Sequence, residues 1–265
     1  MHKKKEVALG VIGILLIATT VFGGPTACPS HFANGEAPEF INQKLANKTR
    51  ELCNEGYAIK HSGITRTPLY AAELITREGL QQGKGLPRSN GFRPDPRLPA
   101  SERSELSDFA RSGYGRVFHV YPAADATTAQ SKDNSFVLSN MVPQDSESNR
   151  GIWNNIEGAV RKEAKRRGNL YVVSGPLYQG GELKALKGRV LIPTGMYKAV
   201  YDPARNEAAA YVVLNAPGDA YQVVSIVELE KIAGINLLPT LSTQIKSRAM
   251  QLPAPTGRGK KGGRR

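Results

Sequence analysis

The sequence has few of the residues from which cysteine- and histidine-based metal sites are built. It contains two cysteines and four histidines in 265 residues, and the cysteines lack the neighbours that would complete a zinc site. A Gly-x-Ser-x-Gly nucleophile elbow, a Walker phosphate loop and a His-Glu-x-x-His zinc motif are all absent. No internal repeat and no base-reading helix or finger is found. These absences argue against serine hydrolases, P-loop nucleotidases, zinc peptidases and sequence-specific DNA readers.

Acidic residues are also scarce. The chain has 23 Asp and Glu against 36 Lys and Arg, which gives a net charge of +13 and a pI near 9.8. Residues 258–265 carry five of these positive charges and no negative one, so the rest of the chain still stands at +8. A surplus of this size favours polyanionic partners. Because 40% of the residues are hydrophobic and only 22% are charged, the sequence predicts a globular protein rather than a disordered one.

Long hydrophobic runs are absent except near the N-terminus. Three lysines at positions 3–5 precede an apolar run over residues 7–22, and small residues follow at positions 23, 24 and 27. This order predicts a signal peptide over residues 1–24 and export to the periplasm or the medium. An uncleaved membrane anchor is the first alternative, because the run approaches the shortest length that spans a bilayer. A lipoprotein is a more distant one, since Pro25 stands where a large aliphatic residue is expected.

The two cysteines, Cys28 and Cys53, both follow the export segment. In an oxidising compartment we expect them to form a disulfide bond. Closing a loop of this length contributes on the order of 3 kcal/mol to stability. The alternative is a pair of buried free thiols.

Hydrophobic periodicity predicts strands and helices in irregular order. That order is typical of an α+β or mixed α/β fold rather than of regular βαβ repetition. Residues 25–250 are expected to form one domain, followed by a basic disordered tail over residues 251–265. Helices are predicted at residues 38–58, at the end of 64–80, at 150–167 and after a capping box at 225–228; strands are predicted at the start of 64–80 and at 136–140, 170–174, 190–200 and 208–214.

The candidate catalytic residues lie in the middle of the chain. Only His119 among the histidines lies in motif-like sequence, although a lone histidine in a strand is more often structural. Asn149 stands where the central helix begins, and Glu157 lies two turns further along its inward side. Two such oxygen-bearing side chains are able to hold a hard cation through one direct ligand and bound waters. The simpler alternative is that Asn149 caps the helix and Glu157 pairs with Arg161.

A longer ordered set of motifs resembles the DNA/RNA non-specific endonuclease family. That family has Asp-Arg-Gly-His, a strand ending in Ser-Asn with Pro-Gln after it, and Asn-Arg-Gly opening a helix with Glu eight residues on. This chain has the corresponding segments in the same order: SGY at 112–114, HVYPAAD at 119–125, FVLSNMVPQ at 136–144, NRGIWNNIE at 149–157 and LYVVSGP at 170–176. A weaker similarity extends to both sides of them, to FRPDPRLP at 92–99 and to SIVELEKIAGI at 225–235. The resemblance implies a ββα-metal core with a central β-sheet flanked by helices.

The resemblance also implies a role for each matching residue. His119 would be the general base, and Asn149 the one direct protein ligand of Mg²⁺ or Mn²⁺. Glu157 would hold a metal-bound water and Asn140 would position the histidine segment. Arg150 is a candidate contact to the substrate, with an exposed helix arginine as the equal alternative. The implied activity is metal-dependent hydrolysis of phosphodiester bonds in DNA and/or RNA, without base specificity and without a small-molecule cofactor.

The sequence departs from the family upstream of the histidine. The family arginine stands two residues before it, whereas Arg116 stands three before His119 and Phe118 replaces the glycine. In a regular strand this spacing turns Arg116 to the opposite face. A β-bulge, which Gly115 makes conceivable, would restore it.

This departure leaves two further hypotheses open. One is a catalytically impaired nuclease-fold protein that binds nucleic acid at the cell envelope. The other is an envelope protein whose basic tail contacts anionic lipid, in which case the membrane is a partner. Metal-dependent turnover distinguishes the enzyme from both.

Overall fold

A seven-stranded antiparallel sheet is the centre of the fold. The computed structural model describes residues 25–87 and 91–256, without the side chains of residues 115–118. The strand order of the sheet is β12-β11-β10-β7-β4-β3-β2, and three two-stranded pairs, β1–β13, β5–β6 and β8–β9, lie outside it. The strands are β1 (Glu39–Phe40), β2 (Thr49–Asn54), β3 (Tyr57–Ser62), β4 (Thr67–Ile75), β5 (Gly115–His119), β6 (Met141–Gln144), β7 (Leu170–Leu177), β8 (Ala185–Leu186), β9 (Val190–Leu191), β10 (Gly195–Asp202), β11 (Glu207–Leu214), β12 (Tyr221–Val224) and β13 (Ile235–Asn236).

The helices pack around this sheet and confirm the expected α+β class. They are α1 (Arg77–Gln82), α2 (Leu106–Phe109), α3 (Ala129–Asn134), α4 (Ser146–Ser148), α5 (Asn154–Arg167), α6 (Ile226–Ala233) and α7 (Thr243–Lys246), with a π-helical turn at Asn149–Trp153 and 3₁₀ turns at Pro29–His31, Ala33–Gly35, Gln43–Ala46 and Leu138–Asn140. The predicted capping box is present at the start of α6, where the Ser225 side chain accepts a hydrogen bond from the backbone of Glu228.

Both faces of the main sheet are buried, because successive side chains of each strand point to two different cores. On β10, Met196 and Val200 belong to one core, whereas Tyr197 and Ala199 belong to the other. The first core is covered by α5 and by residues that follow β5. The second is covered by α6 and by the N-terminal segment around Phe32. The strands of the centre therefore consist almost entirely of buried residues.

Helix α5 covers the first core with the face that the sequence predicts. Ile156, Val160 and Ala164 of α5 are buried there, together with Trp153 from the turn before it. Burying a side chain as large as isoleucine contributes about 1.5–3 kcal/mol. The helix ends at Gly168, whose φ of +105° favours glycine and whose N–H donates to the Ala164 carbonyl. The predicted helix and its glycine end are confirmed.

The helix expected over residues 38–58 is wrong. This stretch contains a short strand, a 3₁₀ turn and β2, which pairs with β3 so that Leu52 faces Ile59. The β2–β3 turn is tight at Gly56, where φ is +93° and an added Cβ would lie 2.9 Å from the Tyr121 hydroxyl. The helical spacing of apolar residues was coincidental, since tertiary pairing across this turn buries Leu52 and Tyr57 instead.

The strand expected at residues 136–140 is displaced along the chain. Leu138–Asn140 form a 3₁₀ turn, and β6 begins at Met141. The displacement has a clear cause, because the backbone N–H of Val120 donates to the Asn140 carbonyl and the amide side chain of Asn140 binds the backbone of Tyr121. Asn140 therefore uses its hydrogen-bonding groups to bind the backbone after β5 and does not form part of a strand.

The C-terminal segment packs on the domain beyond residue 250. Leu252 lies against the first core, and the Tyr211 hydroxyl donates to the Pro253 carbonyl at 2.6 Å. The remainder of the expected tail, residues 257–265, and the expected signal peptide or anchor, residues 1–24, lie outside the described residues. In the described part of the chain, no helix has the length and apolar character needed to cross a bilayer.

The expected disulfide is present between Cys28 and Cys53, which are separated by 25 positions. It ties the N-terminal segment to the end of β2. We predict that Cys28→Ser lowers the free energy of unfolding by about 3 kcal/mol, because the unfolded chain regains the loop entropy that the bond removes. Urea unfolding of protein purified from an oxidising compartment measures the change.

The double variant Cys28→Ser/Cys53→Ser is the matched control for this prediction. If the bond acts as one unit, either single variant and the double variant should lose the same amount. Losses that add up would contradict this explanation, since each cysteine would then contribute by its own packing.

Candidate active site

The β5–β6 pair carries His119 and contains a bulge at the point where the sequence departs from the family pattern. Gly115 lies opposite Gln144, whereas Phe118 lies opposite Val142 and His119 opposite Met141. Three steps along β5 therefore match two steps along β6, so β5 contains one extra residue between Gly115 and Phe118. In a regular strand Arg116 and His119 would point to opposite faces. The bulge interrupts that alternation, so the spacing of the two residues no longer argues against a shared role.

The imidazole of His119 lies between two aromatic rings. Its centroid is 4.9 Å from that of Phe136 and 5.8 Å from that of Phe92, both in edge-to-face geometry. Burial lowers the pKa of His119 to about 4, and the nearby Ser135 carbonyl opposes this shift without outweighing it. No described residue forms a hydrogen bond of normal geometry with its buried Nδ1. The ring is therefore neutral at physiological pH, which is the form that a general base requires.

Asn140 fixes the chain that follows His119. Its side chain is fully buried; Oδ1 accepts from the Tyr121 N–H at 2.8 Å, and Nδ2 donates to the carbonyls of Tyr121 and Ser135 at 3.0 and 2.9 Å. The 2.9 Å bond from the Val120 N–H to the Asn140 carbonyl adds a backbone link. These contacts bind Asn140 to the backbone that follows His119 and to the turn before β6.

The Phe-Arg-Pro-Asp-Pro-Arg segment is attached to the same turn. Asp95 accepts hydrogen bonds from Ser139 at 2.6 Å and from Arg97 at 2.6 and 2.8 Å. Burial acts to raise the pKa of Asp95, but the hydrogen bonds of Arg97 and Ser139 lower it overall. Arg93 makes a half-exposed ion pair with Asp133 at 2.5 Å. The sequence pattern gave this segment no role, although its dense charge was a signal for one.

Asn149 does not cap the central helix, so that alternative for its role is wrong. Asp145 is the capping residue, since its side chain accepts from the N–H groups of Glu147 and Ser148 at 3.0 and 2.9 Å. Asn149 begins a π-helical turn that ends at Trp153 and contains the non-helical Gly151. Such turns are rare and often occur at functional sites. No hydrogen bond to a described residue occupies the half-buried amide of Asn149, and Arg150 beside it is exposed.

Glu157 lies below this turn among charged and aromatic groups. Its Oε1 accepts from the Trp153 indole N–H at 3.0 Å, and its Oε2 lies 3.7 Å from Arg161. Arg161 forms a shorter pair, 3.1 Å, with Asp125. Burial raises the pKa of Glu157, whereas the charges of Arg161 and Lys198 act to lower it. The expected Glu157–Arg161 pair is thus present, but it is only one part of a larger cluster.

The donor chemistry of the β5–β6–α4 segment suits a divalent cation. Seven buried side-chain atoms of the described residues lack a hydrogen-bond partner; four of them, on His119, Gln144 and Ser148, belong to this segment, and the other three, on His61, Tyr70 and Ser104, lie outside it. Amide, carboxylate and hydroxyl oxygens are the donors that Mg²⁺ and Mn²⁺ prefer, and orphaned buried polar groups indicate a missing polar partner.

Some of the predicted site residues are connected by hydrogen bonds or lie on one element, whereas others are joined by no hydrogen bond in the described part of the chain. Asn140 is bonded to the segment of His119, and Asn149 and Glu157 lie on one continuous helical stretch whose Trp153 packs in the same core as Val120. Among the described residues, no hydrogen bond joins the His119 ring to the side chain of Asn149 or Glu157. The side chain of Arg116 lies outside the description.

The strand–strand–helix order defines a ββα-metal nuclease, and comparison with known proteins agrees. The family model of the DNA/RNA non-specific endonucleases matches residues 37–244. The chain therefore belongs to this family, and the expected class of nucleic-acid-hydrolysing endonuclease is confirmed.

Individual relatives support the same assignment. Nuclease C1 of Cunninghamella echinulata var. echinulata is 32% identical over 71% of this chain and 82% of its own length. Mitochondrial nuclease EXOG of Danio rerio is also 32% identical, over 71% of this chain and 60% of its own length. A solved complex of EndoG with EndoGI matches with a TM-score of 0.68 and 25% identity, covering 74% of this chain and 88% of that one.

The environment of His119 yields a pH prediction. Because burial disfavours the imidazolium, the His119 ring should titrate near pH 4 in the folded protein instead of near its ordinary value of 6.5. Two-dimensional NMR of histidine-labelled protein measures this, with His119→Gln identifying the resonance. A midpoint above pH 6 would contradict the buried, neutral ring.

Proposed function

We propose that this chain hydrolyses DNA and RNA backbones with His119 as general base and Asn149 as the direct ligand of a divalent cation. The observation that carries the proposal is the group of orphaned buried polar atoms on the β5–β6–α4 segment, next to an amide that no described residue binds. The family is expected to depend on a divalent cation, and the donor set favours Mg²⁺ or Mn²⁺. When bound, the cation supplies Lewis-acid stabilisation of charge on the phosphate and the leaving oxygen.

The residues of the chain supply the proton transfer and its geometry. In the neutral imidazole of His119 one ring nitrogen keeps its proton. The other nitrogen then has the lone pair that removes a proton from the attacking water. Asn140 keeps the ring in place through the backbone of Tyr121, and Glu157 is the residue that would hold a water of the bound cation.

Two arginines are proposed to contact the phosphodiester. Arg150 is exposed beside Asn149, where a guanidinium is free to reach a phosphate oxygen. Arg116 lies within the stretch of β5 that contains the bulge, and the extra residue there makes a phosphate role compatible with its spacing from His119. The net charge of +13 supports binding to the backbone rather than to the bases.

Export is proposed as the route of this protein. The disulfide between Cys28 and Cys53 supports an oxidising compartment. A cleaved signal over residues 1–24 leaves a domain over about residues 25–250 and a basic tail; an uncleaved segment makes the same domain membrane-anchored.

The second candidate function is a catalytically impaired nucleic-acid-binding protein of the cell envelope. The specific observation in its favour is the altered motif before His119, with Phe118 in the place of the family glycine. Both functions predict salt-sensitive binding to DNA. Only the enzyme degrades plasmid DNA and RNA in the presence of Mg²⁺ or Mn²⁺ and stops when a chelator is added.

We predict that His119→Ala lowers kcat on plasmid DNA by about 10²–10⁴-fold, since the general base is lost. Asn149→Ala should raise the Mg²⁺ concentration needed for half-maximal rate. His31→Gln is the matched control: this ring binds the Asn54 carbonyl away from the site, and its rate should equal that of the wild type. A His119→Ala variant with wild-type turnover would end the proposal.

The bulge in β5 generates a separate prediction for Arg116. If the guanidinium contacts the phosphate, Arg116→Ala should reduce kcat/KM by about 10²–10³-fold, because one charge-stabilising donor is lost. Steady-state hydrolysis of plasmid DNA measures the ratio, and Arg111→Ala, also a basic residue before β5, is the control. Equal rates in Arg116→Ala and wild type would show that Arg116 has no phosphate role.

A further inference from the structure

A buried lysine lies behind the candidate metal site. Lys198 is on β10 and only 1% of its surface is exposed. Its neighbours on that face, Met196 and Val200, belong to the core that α5 covers, so the side chain of Lys198 points toward α5. A lysine is almost never buried to this degree without a specific partner.

The contacts of Lys198 lead directly to Glu157. Its Nζ donates to the hydroxyl of Ser174, which lies opposite it on β7, at 2.7 Å. The same Nζ is 5.7 Å from the ring centroid of Trp153, within the range of a cation–π interaction. Trp153 in turn donates its indole N–H to Glu157 at 3.0 Å. An unbroken series of contacts thus runs from the sheet, through the indole, to the carboxylate.

Lys198 also interacts electrostatically with the acidic residues of the site. Three carboxylates, Glu73, Asp125 and Glu157, share this buried region with two cations, Arg161 and Lys198. Burial holds the pKa of Glu73 well above its ordinary value, Asp125 adds to that effect, and the charge of Lys198 opposes it. Lys198 is therefore electrostatically coupled to the site as well as packed against it.

A purely structural role does not account for this lysine. Among the residues that the structure describes, the other buried lysine is Lys246, which is paired with Glu230; the two carboxylate oxygens lie 2.9 and 3.1 Å from its Nζ. Within the described residues, no carboxylate lies within ion-pair distance of Lys198. Because a buried charge is costly unless it is paired, a methionine would serve packing alone better.

We propose that Lys198 is a positioning residue for the divalent-cation site, which orients Glu157 through the ring of Trp153. The inference rests on the function proposed above. Groups outside the immediate ligands commonly change metal affinity or activity by tenfold or more when they are removed.

Lys198→Met tests this role, because methionine keeps the length of the side chain and removes its charge. The chain has a single tryptophan, so intrinsic fluorescence reports on Trp153 alone. We expect a shifted emission spectrum, a fall of about tenfold in kcat on DNA with little change in KM, and weaker binding of Mn²⁺ followed by quenching of Trp153. Loss of a nearby positive charge would by itself strengthen cation binding. At a pH where Glu157 is ionised in both proteins, weaker binding therefore comes from lost positioning, and tighter or equal binding would overturn the proposal.

Lys246→Met is the matched control, since it removes a buried lysine from the other side of the sheet. It should lower stability without changing the emission spectrum, the Mn²⁺ affinity or kcat per folded molecule. Equal losses in both lysine variants would reduce Lys198 to a structural residue. If Lys198→Met does not fold, Ser174→Ala keeps the ammonium and removes its anchor; it should shift the spectrum and lower kcat in the same direction, and a wild-type result would overturn the proposal.

The two proposals fail in different ways. Wild-type protein that binds Mn²⁺ and DNA without turnover would refute the nuclease function and leave the fluorescence test of Lys198 intact. Active wild type with an unchanged Lys198→Met variant would refute only the positioning role.

Discussion

The hydrogen bonds of the buried Asn140 side chain hold the candidate site together. One amide joins the chain after β5 to the turn before β6, so the strand that presents His119 cannot shift relative to the strand that leads into the central helix. Removing this amide would leave backbone groups of Tyr121 and Ser135 buried without partners, each at about 1–3 kcal/mol. The aromatic packing around His119 and the attachment of Asp95 through Ser139 both depend on that fixed turn.

Local sequence signals predicted the parts of the fold that local interactions determine. The central helix, its end at Gly168 and the capping box at Ser225 depend on neighbouring residues only, and all three are present. The hairpin of β2 and β3 was missed because its apolar residues also have helical spacing; the structure pairs the two strands across Gly56 and stacks Tyr57 on Tyr121, far along the chain. The sequence left open whether Asn149 caps the helix, because asparagine and aspartate are both common capping residues. In the structure the capping residue is Asp145.

The same distinction applies to the site. His119, Asn149 and Glu157 stand in one ordered series of motifs, which is why the sequence alone nominates them as candidates. Lys198, Glu73 and Asp125 lie on separate strands and loops, and only the pairing of β10 with β7 brings Lys198 opposite Ser174. No spacing along the chain encodes that register, so this part of the site was not predictable from sequence.

The charge distribution of the molecule accommodates two opposite ligands. A net charge of +13 attracts a polyanion over long distances but repels a divalent cation. Solvent and salt screen the surface charges, whereas ionised members of the cluster of Glu73, Asp125 and Glu157 act through protein of lower polarity over a short distance. In the function proposed above, this local negative charge would favour a cation while the outer surface attracts the substrate. Lys198 belongs to both effects: its charge acts to lower the pKa of Glu157, and its contact with Trp153 is the one through which we propose that it positions that carboxylate.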